Sequence, residues 1–295
     1  MRHGRPYDAA RLNRILHADP QRGMVEVQGA TAWRTLAENL RPGDEAARAI
    51  ASSLPTVGAS IAWNAAGPDG RPTVRHVESL ALVTPDGELR RASRVANREL
   101  FALVVGGQDL FGALYSVTLR MDSLARAIDE ALPIEVSQAG EAPPAVRRVQ
   151  LLCPPNAVGV VLEDCRAVCD EWRIAIPRME LRATAPEDET YLPWAREEYV
   201  QVTLSLASPE RLGASVRLAQ VCRALIDSCV RRGGSFSIAQ SADASRDQVE
   251  TCYPRLRGLL TEKRRFDPGE RLVTPWYRHL RLLLSSPGCE TRWNA

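Results

Sequence analysis

From Leu54 to Gly70 the chain reads Leu-Pro-Thr-Val-Gly-Ala-Ser-Ile-Ala-Trp-Asn-Ala-Ala-Gly-Pro-Asp-Gly, with Asp69 its one charged residue. Glycine opens backbone angles closed to other residues, and small side chains let a backbone come close to whatever it faces. The stretch therefore reads as irregular backbone that approaches something closely, and the rest of the chain has to be organised around it.

The flanking segments are more regular. Met24–Gln28 alternates like a strand and runs into Gly29, and Thr31 is placed to cap a short helix carrying Trp33, Leu36 and Leu40. Val77–Val83 is an apolar run closed by the turn Pro85-Asp86-Gly87, and Glu88–Ala92 returns as the second strand of a hairpin. Asn97 is a cap for a helix through Val105, and Gly112–Met121 is rich in β-formers. The stretch 134–144, with Gly140, Pro143 and Pro144, is the boundary candidate. Beyond it the pattern predicts strands at Val146–Cys153, Tyr199–Ala207 and Ser235–Ala239. Helices are predicted at Ala157–Trp172, at 209–232 with Leu212, Val216, Ala219, Cys222, Ile226 and Cys229 on one face, and at Arg246–Glu262. Such alternation calls for mixed α and β layers.

Composition excludes some functions. Net charge is +2, from 38 basic and 36 acidic residues, which gives no field suited to nucleic acid or an anionic membrane. Lys263 is the single lysine, so individual arginines carry little information, and Lys263-Arg264-Arg265 reads as helix-end charge. Seven cysteines without a Cys-x-x-Cys pair read as reduced thiols packed as small apolar groups, and no metal site is expected. No run approaches the roughly 18 apolar residues of a membrane span, so the expectation is a soluble, cytoplasmic protein.

Four segments, in order, resemble one family. They are Arg11–Leu36 with its Gly29-Ala30 turn, and Leu54–Gly67. Next comes His76-Val-Glu-Ser-Leu-Ala-Leu-Val-Thr-Pro-Asp-Gly, followed by Asn97–Gly112. Last come Cys252-Tyr-Pro-Arg-Leu, Lys263-Arg-Arg-Phe-Asp-Pro and Trp276-Tyr-Arg-His-Leu. Together they are similar to the FAD-linked oxidases of the vanillyl-alcohol-oxidase, or PCMH-type, family, on the sugar and aldonolactone oxidase branch. The resemblance implies an α+β fold: an incomplete PCMH-type FAD-binding domain at 1–133, then an α+β cap domain at 145–280. The cap would hold an antiparallel sheet flanked by helices, a return segment at 263–280 and a tail at 281–295.

It also implies roles. Pro55, Thr56, Val57, Gly58, Ala59, Ser60, Asn64 and Gly67 would line the flavin, their amides turned toward its diphosphate. Gly112 and Leu114 would present backbone to the adenine side. Gln240, Tyr277 and His279 would face the substrate. Trp63 is a candidate flavin stacker, whereas Trp33, Trp172 and Trp194 read as core or interface aromatics. His17 and His76 read as surface or strand-end residues.

The sequence also departs from the pattern. Relatives begin with a βαβ piece ending in a phosphate-binding loop, of which Arg2-His3-Gly4 resembles a fragment. Ala59 stands where the second glycine of a Gly-Gly pair is usual, and Ala66 where a histidine is, so any FAD is expected to be non-covalent. Gln240 and Ser241 stand where relatives place Tyr, His or Lys. The expectation is an FAD-dependent oxidoreductase taking hydride to flavin N5 from a C–OH group of a sugar-, aldonolactone- or hydroxy-acid-like small molecule. The alternative is a non-catalytic or non-redox relative acting as a binding or scaffold subunit. Such a subunit would be a homodimer, or would be completed by a partner chain supplying the missing flavin-domain segment.

Overall fold

The computed structural model describes residues 11–52, 54–131, 135–138, 146–208 and 213–285; the expected phosphate-loop fragment at Arg2–Gly4 lies outside them. The first half runs β1 (Ile15–Asp19), β2 (Met24–Gln28), α1 (Trp33–Leu40), α2 (Glu45–Ser52) and α3 (Val57–Trp63), then β3 (Val77–Val83), β4 (Leu89–Ser93), α4 (Arg98–Val104), β5 (Ala113–Arg120) and α5 (Met121–Asp129). The second half runs β6 (Glu135–Gln138), β7 (Val146–Cys153), α6 (Val158–Glu171), β8 (Ala175–Thr184) and β9 (Tyr199–Ala207), then α7 (Ala214–Arg231), β10 (Ser235–Phe236), α8 (Arg246–Cys252), α9 (Leu256–Phe266) and α10 (Pro275–Ser285).

Each half carries a five-stranded sheet, ordered β1-β2-β5-β3-β4 in the first and β10-β7-β9-β8-β6 in the second. Every pairing is antiparallel, as expected of an α+β fold. β6 falls inside the 134–144 stretch read as a boundary, and it pairs with β8, so Glu135–Gln138 already belongs to the second sheet.

In the second sheet one face is apolar and the other polar. Val149 and Leu151 of β7 and Val202, Leu204 and Leu206 of β9 are buried. They pack in one core with Val161, Cys165 and Cys169 of α6 and with Leu218, Val221, Leu225 and Cys229 of α7. Each fully buried aliphatic side chain contributes about 1.5–3 kcal/mol relative to exposure. The residues between them on the strands face the other way, because strand side chains alternate. Register lines these up in rows: Arg148, Ser205 and Arg178 in one, Gln150, Thr203 and Glu180 in the next, then Gln201 with Arg182.

Several expectations change. Leu54–Gly70 is not irregular throughout. It contains α3, whose N-cap Thr56 accepts from the Ala59 amide and whose C-cap Asn64 takes the left-handed conformation at φ 48°; a capped helix only seven residues long is hidden by its glycine and alanines. The cap of α1 is Ala32, with no side-chain bond, because Thr31 is wholly buried beneath it. Asn97 starts α4, but its amide donates to the Arg91 carbonyl and does not cap the helix. On α7 Cys222, Ile226 and Cys229 of the expected face are buried, joined by Leu218, Val221 and Leu225, whereas Val216 is 65% exposed and Leu212 lies outside the described residues. The last predicted helix is two, α8 and α9, broken at Tyr253-Pro254.

Lys263 is no helix-end surface charge. It is fully buried and ion-paired with buried Asp267, which also accepts the Arg271 and Leu272 amides. The six described cysteines are free and buried, and burial pushes the Cys165 thiol up to about 12 and that of Cys169 to about 11.

Candidate active site

A cavity of about 350 Å³ lies between the two halves. One wall comes from the segment around α3: Leu54, Pro55, Trp63, Ala65 and Ala66. The facing wall is the polar face of the second sheet, with Arg148, Gln150, Arg178, Glu180, Arg182, Gln201 and Thr203. Ser237, Ala239, Gln240 and Trp194 close one side. Arg178 pairs with Glu180 at 2.5 Å, and Gln150 donates to Thr203 Oγ1 at 3.1 Å. Arg182 reaches across to the Gly67 carbonyl at 3.1 Å. Its Nε is buried without a hydrogen-bond partner, and burial holds the guanidinium below the usual arginine range.

The halves are clasped at the edge of this cavity. Asn64 Oδ1 accepts from the Val74 amide at 2.9 Å, and its Nδ2 donates to Glu187 Oε1 at 3.0 Å. Glu187, in the loop between β8 and β9, is buried and also accepts from the Thr190 hydroxyl and the amides of Glu189 and Thr190. Burial still pushes its carboxyl up. Trp194 Nε1 donates to the Asn64 carbonyl at 2.8 Å, and the Tyr191 amide to that of Ala102.

The residues expected along the flavin divide into three groups. Pro55 and Ala66 line the cavity, with Trp63 40% exposed beside them. Val57, Ser60 and Asn64 are turned inward: Val57 is fully buried, Ser60 Oγ accepts from Trp33 Nε1 at 2.8 Å, and Asn64 is held as described. The Val57 amide and the side-chain polar atoms of Ser60 and Asn64 are bonded within the protein. Gly58, Gly67 and Gly112 serve close packing of the chain on itself. A Cβ on Gly58 would lie 2.7 Å from the Gly29 carbonyl, and one on Gly112 would lie 2.4 Å from Leu82. On Gly67 it would meet Asp69, His76 and the Arg71 carbonyl. Leu114 pairs with Leu82 across β3 and β5 and does not line the cavity.

The expected substrate residues are likewise separated. Gln240 lines the cavity. Tyr277 is buried under α10, where its hydroxyl bonds Glu270 at 2.9 Å, and His279 is exposed on the same helix. Neither lines the cavity, because α10 packs through Tyr277, Leu280 and Leu284, which leaves His279 on its outer side. His76, read as a surface or strand-end residue, immediately precedes β3 but is buried at 2% exposure; its Nδ1 lies 2.7 Å from Ser123 Oγ. Burial first, then Arg120, Arg71 and Arg75, holds its pKa below 6.5 against the pull of Asp69. Sequence reasoning missed Trp194 and the three cavity arginines. The period-2 spacing of Arg178, Glu180 and Arg182 was the available signal.

Whether these residues suit a flavin dinucleotide depends on which end is considered. The cavity, floored by Pro55, Trp63 and Ala66, suits a flat ring. The first turn of α3 offers no free donors to a diphosphate. The Val57 amide bonds the Thr31 carbonyl, Gly58 that of Gly29, Ala59 the Thr56 hydroxyl and Ser60 the Thr56 carbonyl. A second void, of about 30 Å³ beneath α1 and α5, is apolar and belongs to the core.

Comparison with known proteins accords with this architecture. Residues 8–93 match the family described as FAD binding domain. A carbohydrate oxidase from Microdochium nivale, solved with a substrate analogue, superposes with a TM-score of 0.61 at 12% identity, over 90% of this chain and 80% of that one. A xylooligosaccharide oxidase from Myceliophthora thermophila C1, solved with xylobiose, gives 0.62 at 13%, over 91% and 80%. A BBE-like 1 variant from Physcomitrella patens gives 0.58 at 9%, over 88% and 78%. The chain shares the fold of these solved structures, and its residues 8–93 match an FAD binding domain. FAD is the cofactor that this assignment supports. An uncharacterized oxidoreductase, ORF5 in the fasciation locus of Rhodococcoides fascians, is 40% identical over 53 residues, 18% of this chain; the match spans 12% of that relative's length. No helix among the described residues is long and apolar enough to cross a membrane.

Proposed function

We propose that this chain is an FAD-dependent oxidoreductase that takes hydride from a C–OH carbon of a sugar-, aldonolactone- or hydroxy-acid-like molecule held between its two sheets. Residues 1–133 form the flavin side in this reading and 145–280 the substrate side, with β6 as an edge strand of the latter. The observation that carries it is the polar face of the second sheet, turned across the cavity toward the apolar floor around α3. Bound FAD supplies the hydride acceptor. The chain supplies the rest: Gln150, Thr203, Gln201 and Gln240 offer donors and acceptors to hydroxyl groups. Glu180, held by Arg178, is the carboxylate available to take the hydroxyl proton as the C–H bond is broken. Pro55, Ala66 and Trp63 exclude water from the floor.

The first turn of α3 favours a second reading. Because its amides are bonded within the chain, a diphosphate would need donors from elsewhere, such as residues 1–10 or a partner chain. Without them the protein would act as a binding or scaffold subunit. Absorption spectroscopy separates the two readings. An oxidase takes up FAD, shows flavin bands, and is bleached anaerobically by a sugar or hydroxy acid. A colourless protein that leaves added FAD unbound rejects the redox reading.

A further inference from the structure

The polar wall carries more cation than a neutral polyol requires. Three arginines and one carboxylate line the cavity, and they are not spread evenly. Arg148 on β7 and Arg178 on β8 both lie opposite Ser205 on the strand between them. Their backbones are two strand spacings apart, about 9.5 Å. Both side chains line the cavity, whereas Ser205 between them is buried and does not. Arg148 is exposed and has no ion-pair partner among the described residues. Arg178 is tied on one side to Glu180, so its fork is only partly used. Arg182, two rows away, keeps a buried Nε unpartnered.

We propose that the pair Arg148 and Arg178 is the recognition site for a carboxylate, so that the molecule held here is a sugar acid and not a neutral sugar. This rests on the reading of the cavity as a substrate site. A guanidinium fork matches a carboxylate in two hydrogen bonds, and two forks flanking one row can share it. The next row, Gln150–Thr203–Glu180, lies two residues along the strands, about 6.7 Å away, roughly the length of one sugar ring. A single-ring acid anchored at the first row thus places its far hydroxyls against Glu180, Gln150 and Thr203.

The test uses the purified full chain without added flavin, read by intrinsic fluorescence, since Trp63 and Trp194 both line the cavity. D-galacturonate and D-gluconate are titrated against D-galactose, D-glucitol and D-galactose 6-phosphate. The acids are expected to bind at least tenfold tighter than their neutral counterparts, and the preference should shrink between about 50 and about 500 mM salt, over which the screening length falls from roughly 14 Å to roughly 4 Å. Arg148→Gln, a change at an exposed side chain, should abolish the preference and leave neutral-sugar affinity alone. Arg178→Gln should weaken it in the same direction. Equal binding of acid and neutral sugar, a preference that survives Arg148→Gln, tighter binding of the phosphate ester, or no response to any probe would each overturn the assignment. A yellow protein bleached only by neutral sugars would leave the redox reading standing and remove this one. A colourless protein that prefers the acids would do the reverse.

Discussion

The two sheets share strand number and antiparallel pairing but treat their polar groups in opposite ways. Around α3, in the first half, every polar group expected to meet a ligand is bonded inward: Ser60 to Trp33, Asn64 to Val74 and Glu187, and the first-turn amides to nearby carbonyls and Thr56. On the second sheet the outward face turns Arg148, Gln201 and Arg182 toward the cavity. Glycine-rich backbone can therefore mark where a chain touches itself, while polar residues in register on a half-covered sheet mark where it can touch something else.

That contrast is open to attack by mutation, beginning with the largest effect. Glu187→Ala removes a buried acceptor and strands the Asn64 and Thr190 groups that it serves. The expected cost is about 3 kcal/mol, read as a lower urea midpoint with unchanged slope. Gly58→Ala drives a methyl group into the Gly29 carbonyl and should cost about 2 kcal/mol without any cofactor present. If Gly58→Ala instead leaves the cofactor-free protein intact and only weakens FAD uptake, the glycine serves the ligand and the contrast fails.

A smaller effect depends on pH. His76 is held neutral, with its pKa below 6.5, so in the window beneath 6.5 the unfolded chain binds a proton that the folded one refuses. Its contribution is complete above pH 6.5 and is lost as pH falls. The thermal midpoint should drop from pH 7.5 to 5.5, and His76→Gln should flatten that drop. An unchanged slope in the variant would show that His76 is not the group responsible. Smallest of all is Arg148→Gln, which should alter stability by less than about 0.5 kcal/mol by the same urea measurement. A large loss there would mean that the second sheet also spends its polar face on itself.

Legibility in the sequence followed the same division. β2, β3, β7 and β9 are visible because their apolar residues alternate or run together between turn residues. β8 is not, because Pro177 and three charged side chains interrupt it, although those charges are its cavity-facing set. α5 follows β5 without a glycine or proline to announce the change. α10, although it contains the last segment that carried the resemblance, shows only the thin stripe of Tyr277, Leu280 and Leu284. The break at Pro254 was readable, since the residue before a proline avoids the helical region. At the site, resemblance pointed to the segment 54–67, part of which lines the cavity, but not to which of its atoms were free. That depends on partners more than a hundred positions away, such as Glu187 for Asn64.

The junction at Asn64 has one more consequence. A left-handed asparagine that gives its carbonyl to Trp194, its amide to Glu187 and its side-chain oxygen to Val74 belongs to both halves at once. Neither half can melt without stripping the other of its partners, so the protein should lose its structure in one cooperative step. Cutting the chain between β5 and β7 would then yield two fragments unable to stand alone.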